Sequence, residues 1–347
     1  MGSFDRPIGP TLPASVAAQG ISARLYAGPS DHQGMAALWA ETNRADGVAE
    51  RYPPGAIGSW LANPRNMDPH SDIVLVETGE SRIVASAIVR WVDRNTTGER
   101  SFEGNCDVLP DFRRRGIGGA LHAWQTSRFT AIATAMTDLD DRPAILVGYI
   151  HGADTGGHIL LEDAGYRVVR RSAEMRRRDL AAIPDLVPPD GIELRAIDPT
   201  DEDMLRRVWI VSGEVFSGHW GDPLPDRSEA AWRRFRDNPH VQPEHWCVAF
   251  EGSEIVGHIL SYLAPDDDGS VIGWTEGIAV REPWRRRGIA RAMLAWSLRR
   301  VGDAGADRAA LGVDLENPNE AHGLYESLGF RATAIELEYH RPLWPDR

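Results

Sequence analysis

Apolar positions along this chain follow two alternating rhythms, and the series of rhythms occurs twice. In the first series, ISARLYAG has the short alternation of a strand, and DHQGMAALWAETNRA is apolar at helical spacing. DIVLVETGESRIVASAIVRWV follows, two β-rich runs divided at TGES, which predicts a hairpin. FEGNCDVLPDF leads into a helix over GGALHAWQTSRFTAI, then a strand AILVGYI and a helix GGHILLEDAGY. The second series keeps this order. GIELRAI is a strand and DEDMLRRVWIVSGEVF a helix with an acidic first turn, which suits the helix dipole. WCVAFEGSEIVGHILSYL is a hairpin turning at Glu251–Ser253, and GWTEGIAV is a strand. RRRGIARAMLAWSLRRVGDAG is a helix closed by Gly305, AALGVDL a strand and NEAHGLYESLGF a helix. Between the series lies AAIPDLVPPDG, with Pro184, Pro188, Pro189 and Gly191, the composition of a linker. The expected organisation is a lead-in over 1–20, one domain over 21–180, a linker over 181–191 and a second domain over 192–347. Each domain is α/β, with a central mixed, mostly antiparallel sheet flanked by helices.

The duplication is sharpest where a strand hands over to a helix. DFRRRGIGGALHAWQT (111–126) returns 172 positions later as the closely similar PWRRRGIARAMLAWSL, so that Arg113 matches Arg285 and Gly116 matches Gly288. The first N–H groups of a helix have no intrahelical acceptors and carry partial positive charge. A glycine (Gly116, Gly288) and a small residue two further on (Gly118, Ala290) let a ligand approach, and Arg113, Arg115, Arg285, Arg286 and Arg287 add charge-assisted donors. This composition suits a pyrophosphate. Neither GxxxxGK[ST] nor GxGxxG is present, which disfavours the common nucleoside-triphosphate and dinucleotide loops.

The text Arg-x-x-Gly-x-Ala/Gly after a strand ending in Val resembles the acetyl-CoA-binding motif of the GNAT N-acetyltransferase superfamily, and both Arg113–Gly118 and Arg285–Ala290 match it. GVDLENPNEAHGLYESLGF resembles the closing segment of that family. Two such units in one chain are similar in layout to tandem GNAT proteins of the mycothiol synthase type. The resemblance implies acetyl-CoA as co-substrate and no metal. It implies that pantetheine pairs with the strand at Ile278, Ala279 and Val280 (Val108 in the first unit). The pyrophosphate is then expected on the amides of Arg286, Arg287, Gly288, Ile289, Ala290 and Arg291, with Asn317 as a pantetheine contact or a plain turn residue. Tyr325 stands where the family keeps a general acid.

Composition narrows the partners. At 347 residues, 42% hydrophobic and 26% charged, the chain has room for two ordinary domains. A net charge of −13 disfavours nucleic acid and anionic membrane as partners and favours a cationic small molecule. Two cysteines, Cys106 and Cys247, are too few for a disulfide framework, and with no signal-like N-terminus a reducing cytoplasm is expected. A monomer or a homodimer is equally compatible with the sequence.

Transfer of an acetyl group to an amine needs a base for the amine proton and an acid for the departing sulfur. Glu276, four residues before Val280, is the candidate base, or else an acidic group that orients the substrate. Trp274 occupies the earlier strand position where the family often keeps its base. Glu214, His219 and His245 are weaker candidates, and the loop from Phe216 to Asp226 is a candidate acceptor loop. In the first unit Leu161 falls opposite Tyr325 and Asn105 near the place of Glu276, with Glu103 farther back, so chemistry is expected in the second unit alone. Direct attack by a small-molecule amine is preferred to an acyl-cysteine route through Cys106, since no His partner is visible nearby. A sensor or scaffold that binds acyl-CoA without turnover, or acetylation of a protein or peptide, are the competing readings.

Overall fold

The computed structural model describes residues 9–47, 54–62, 64–94, 97–139, 142–217, 226–266, 269–316 and 321–344. In chain order the elements are α1 (Ala14–Ala17), β1 (Ser22–Leu25), α2 (His32–Asp46), α3 (Pro54–Ala62), α4 (Pro69–Asp72), β2 (Ile73–Glu77), β3 (Ile83–Asp93), β4 (Arg100–Val108), α5 (Ile117–Ala135), β5 (Ala144–His151), α6 (Thr155–Asp163) and β6 (Arg167–Arg177). The second series runs β7 (Ile192–Arg195), α7 (Glu202–Phe216), α8 (Glu229–Arg236), β8 (Cys247–Glu251), β9 (Glu254–Pro265), β10 (Val271–Val280), α9 (Ile289–Asp303), β11 (Arg308–Asp314), α10 (Ala321–Ser327) and β12 (Arg331–Pro342). The predicted strands, hairpins and helices all form, and the repeat carries over into structure.

Two compact units divide the chain differently from the sequence repeat. One comprises residues 1–169 and 336–347, the other 170–335, so the segment 181–191 lies inside the second unit. The reason is an exchange of last strands. In the first unit β5 pairs antiparallel with residues 336–342 of β12, from Glu336↔His151 to Pro342↔Ile145. In the second unit β11 pairs antiparallel with residues 172–177 of β6. Each unit thus completes its sheet with the strand that follows the other repeat's last helix. The sheet order is β1-β2-β3-β4-β5-β12 in the first unit and β6-β11-β10-β9-β8-β7 in the second. Among the described residues of each unit, only the β4–β5 pair of the first and the β10–β11 pair of the second are parallel.

The cores follow from strand alternation. In the second unit one sheet face packs Val256, Ile259, Ala309 and Leu311 against Leu294 and Leu298 of α9 and against Tyr325 of α10. The opposite face packs Val248 and Ile255 against Leu205 and Val208 of α7 and Trp232 of α8. Met175 of β6 is fully buried in the first of these cores. A fragment of residues 170–335 is therefore expected to melt cooperatively on its own. A fragment of residues 192–347 lacks β6, leaves the β11 edge unpaired and loses Ala173 and Met175 from the core. It should show no cooperative transition by circular dichroism, since deleting one buried side chain of this size alone costs about 2–5 kcal/mol.

Candidate active site

The site begins at a fault in the second sheet. β10 pairs with β9 in register from Val271↔Pro265 to Glu276↔Leu260, then slips by one residue before Ala279↔His258. Gly277 takes φ 56° at the slip, a left-handed conformation that a residue with a side chain adopts only under strain. On the other side, the parallel ladder of β10 with β11 covers only Ile272–Trp274 against Arg308–Ala310, and beyond it the strands part. The backbone of β10 from Glu276 to Val280 thus lies beside a gap. An extended ligand such as a pantetheine arm can pair with the strand there.

Val280 leads through a single helical turn (Glu282–Trp284) into the Arg/Gly loop. Arg286 has φ 63° and Gly288, the N-cap of α9, has φ 84°. These left-handed residues turn successive N–H groups into one concave surface at the start of α9. Gly288 is thus required by the backbone itself, a reason additional to ligand clearance. No described atom lies within 4 Å of the place a Cβ would take on it, and the loop from Arg285 to Gly288 is exposed. The arginines divide by task. Arg285 turns back, its Nε donating to the Val280 carbonyl at 3.0 Å, and so fixes the loop. Arg287 pairs with Glu251 at 3.2 Å. Arg286 and Arg291 are exposed or partly exposed beside the amides of the helix start.

In the first unit the same loop is closed over. Arg114 (φ 60°) and Gly116 (φ 84°) reproduce the backbone, and Arg113 Nε donates to the Val108 carbonyl at 2.9 Å. However, Pro13 lies against Gly116, its Cγ 3.0 Å from the position of a Cβ, and Arg115 donates to Gln19. Arg113 is held by both oxygens of Asp46 at 2.7 Å. Nearby, burial pushes the Asp107 carboxyl up to about 6, with Asp46 adding to the effect. The pairing of β3 with β4 runs without a slip from Ala85↔Val108 to Asp93↔Arg100. Gln125 of α5 donates to the carbonyls of Ile88 and Asn105, planting a side chain on the strand.

Tyr325 projects from α10 and is buried, its ring edge-on to Phe330. Burial first, and the Glu276 carboxylate second, push its phenol up to about 12. The Tyr325 phenol is thus within electrostatic reach of the Glu276 carboxylate on β10. Their turn also fixes the comparison with the first unit. The Tyr325 carbonyl accepts from Phe330 N, and the Leu161 carbonyl accepts from Tyr166 N in the same way, so Leu161 stands in the place of Tyr325. By register, Asn105 opposite Ile88 stands in the place of Glu276 opposite Leu260, and Glu103 opposite Arg90 in that of Trp274 opposite Tyr262.

Residues 212–330 match the model of the Acetyltransferase (GNAT) family. A mycothiol acetyltransferase of Salinispora arenicola is 30% identical over 242 residues, covering 67% of this chain and 71% of that protein. The chain belongs to the GNAT acetyltransferase family. A mycothiol acetyltransferase of Kineococcus radiotolerans is 28% identical over 319 residues, 90% of this chain and 93% of its own. Among solved structures, a GCN5-related N-acetyltransferase from Sphaerobacter thermophilus aligns with a TM-score of 0.68 at 25% identity, covering 96% of this chain and 98% of that one. A tandem GNAT protein from the clavulanic acid biosynthesis pathway aligns with a TM-score of 0.64 at 14% identity, which shows a shared fold, and covers 94% and 99%. This GNAT protein is accordingly an acyltransferase built as a tandem pair.

Other candidate residues of the GNAT chain fall away from the gap or outside the described residues. Asn317 and His219 lie outside them, as does most of the loop from Phe216 to Asp226. Glu214 is engaged by Arg281 at 3.0 Å, and His245 lies in the turn before β8. Burial raises the thiols of Cys106 and Cys247, which keeps both protonated and unreactive. Sequence reasoning missed the slip at Gly277, although a glycine inside a strand is its usual signal. It also missed His258, which lies opposite Ala279, is fully buried and has neither ring nitrogen hydrogen-bonded among the described residues. The corresponding Ser86 of the first unit accepts from Trp39 Nε1.

Desolvation lowers the His258 imidazole to about 4 from an ordinary 6.5. Because the folded value lies below the unfolded one, protonation favours the unfolded chain. The stability is complete above about pH 6.5 and is lost as pH falls toward 4. His258→Leu should remove up to ~3 kcal/mol of this acid-side loss. The check is urea unfolding of both proteins at pH 7.5 and 5; the wild type should lose more stability between them than the variant.

Proposed function

We propose that the protein is an acetyl-CoA-dependent N-acetyltransferase that acetylates a primary amine of a small molecule, with the chemistry in the second unit. The observation that carries this reading is the combination, in the second unit, of an open cradle at Gly288 with a buried Tyr325 whose phenol feels the Glu276 carboxylate. The first unit has the cradle's backbone but Leu161 and Asn105 in place of those two groups. The names of the relatives support acetyl transfer to a small molecule, and the net charge of −13 suits a cationic acceptor.

In this reading the pyrophosphate rests on the amides from Arg286 to Arg291, and pantetheine extends along β10 by Ile278, Ala279 and Val280. The amine nitrogen attacks the thioester carbonyl carbon as the C–S bond breaks. A backbone N–H at the Gly277 slip supports the carbonyl oxygen as it becomes negative. Glu276 takes the proton the nitrogen sheds, and Tyr325 donates to the departing sulfur. A phenol at about 12 is a weak acid for a thiol near 8.5, so proton transfer from it is uphill while Glu276 is ionised. Once Glu276 has accepted the amine proton its charge is gone, and its share of the upward shift on Tyr325 goes with it. The base thus makes the acid stronger as the reaction proceeds. Return of the proton from Glu276 to the tyrosinate resets both groups.

Tyr325→Phe should lower kcat by about 10²–10⁴-fold while acetyl-CoA affinity by calorimetry stays within a few-fold. A protein that only senses acyl-CoA would show no amine-dependent thiol release in either form. In the wild type, the phenol stays neutral well above pH 9. The kcat/KM profile should therefore rise with pH to a plateau, with no alkaline fall below about pH 10. Glu276→Gln should cost on the order of 10²-fold and flatten the rising limb, leaving only the titration of the free amine.

A further inference from the structure

Gly312 is exposed although it lies within β11, a strand hydrogen-bonded on both sides earlier in its course. No described atom lies within 4 Å of where its Cβ would be, and its φ is not left-handed. An exposed glycine at this place marks a cleft in the sheet face. Cross-strand pairing decides which face. Gly273 and Ala309 are paired, and Gly273 is pressed by Val301 of α9. Trp274, Ala310 and Gly312 therefore look to the opposite side, as Glu276 does.

The walls of the cleft come from the neighbouring strands of the same unit. On the β10 side stand Trp274 and, two residues on, Glu276. On the β6 side stand Arg176, paired with Ala310, and Glu174, paired with Gly312. Glu174 is held by Arg176 at 2.5 Å and by the Thr333 hydroxyl at 3.3 Å, and Arg176 is further engaged by the buried Asp266. Trp274 is held upright by a stack: its ring lies 6.2 Å from Tyr262 at 8°, and Tyr262 lies 4.4 Å from His240 at 6°. Tyr262 flanks the indole on the β9 side, and Ala310, the partner of Trp274 on β11, lies on its other side.

The first unit shows the same place filled. Tyr149 stands where Gly312 does, two residues beyond the partner of Glu103 and paired with Glu338. The buried Arg94 donates to the Tyr149 hydroxyl at 3.3 Å and pairs with Glu338 at 2.7 Å. Arg90 and Glu103, joined at 2.9 Å, replace Tyr262 and Trp274. A tyrosine and a knot of ion pairs thus occupy the position that the second unit leaves as an aromatic wall over a glycine floor.

We propose that the acceptor binds in the cleft over Gly312. Its amine is directed to Glu276, a ring in the same molecule lies flat on Trp274, and the ring's polar edge faces Glu174. The inference rests on the reading of the second unit as an N-acetyltransferase and adds the acceptor's place and shape. A flat ring matches the parallel stack, whereas a linear polyamine has no face to offer it. Two chemistries supply a ring face for the indole, the C–H face of a sugar and the flat face of an arene. Gly312 sets the floor, and filling it should exclude either.

The test uses the full-length protein with glucosamine, tryptamine and putrescine as probes, read by thiol release and by calorimetry with CoA present. At least one ring amine should have kcat/KM about 10-fold or more above putrescine, and which one it is identifies the ring. Gly312→Tyr, which copies the first unit, should raise that amine's KM roughly 100-fold with acetyl-CoA affinity and melting temperature unchanged. Gly312→Val should give a smaller change in the same direction, and Trp274→Ala should reduce the preference for the ring about 10-fold. Equal use of putrescine, or a Gly312→Tyr variant as active as wild type, overturns the inference and leaves the acetyltransferase reading intact. Loss of acetyl-CoA affinity in Gly312→Tyr assigns the cleft to the co-substrate and also overturns it. Ring amines that bind, depend on Gly312 and are never acetylated support the cleft and remove the enzymatic reading. If no probe binds or reacts, both fall.

Discussion

Everything of interest in the second unit depends on two parallel strands failing to stay together. A sheet gains by pairing every backbone N–H and C=O, and buried groups left unpaired are costly. β10 and β11 nevertheless share only three paired positions before they part. The slip at Gly277 turns β10 on one side while its hydrogen bonds to β9 resume after it. The resulting gap leaves backbone groups beside the cradle available to an extended ligand. In the proposed reading, pairing with a pantetheine arm restores what the sheet forgoes.

Comparison of the two units isolates what a catalytic gap requires beyond the fold. Both have the parallel pair, the left-handed Arg and Gly of the loop, and an Arg closing it on the preceding valine carbonyl. In the first unit, each opening is filled from within the unit: Pro13 on the cradle glycine, Asp46 on the loop arginine, Gln125 on the strand, Tyr149 on the sheet face. These are satisfied contacts, as expected of a unit that contributes structure. The second unit retains features that stability alone would disfavour, a left-handed strand residue and a buried imidazole with no hydrogen-bond partner among the described residues. Such departures cluster around Glu276 and Ala279, where acetyl transfer is proposed.

The electrostatic design is economical. Glu276 adds to the upward shift that burial puts on the Tyr325 phenol, because charges are poorly screened in a buried place. In the proposed reaction one carboxylate serves as base and also as regulator of the acid. The surrounding charges are internally balanced, with Asp266 meeting both Arg176 and Arg308 and Glu174 meeting Arg176.

The order of strands and helices was legible in the sequence because each element declares its own period. The duplicated Arg/Gly text declares the cradle because backbone amides at a helix start need only a short local motif. Tyr325 and its counterpart Leu161 could be aligned because both sit in one helix-to-strand turn fixed by a glycine. Other features arise only when distant segments meet. Nothing local tells β6 and β12 to close each other's repeat, since an extended run can pair with any compatible edge. The covering of Gly116 by Pro13 joins residues about a hundred positions apart. The cleft over Gly312 is a property of three strands in register, and the alternation of a single strand cannot disclose what its neighbours leave empty. Sequence determined the elements and the chemistry they carry, whereas long-range pairing decided which copy of the site stays open.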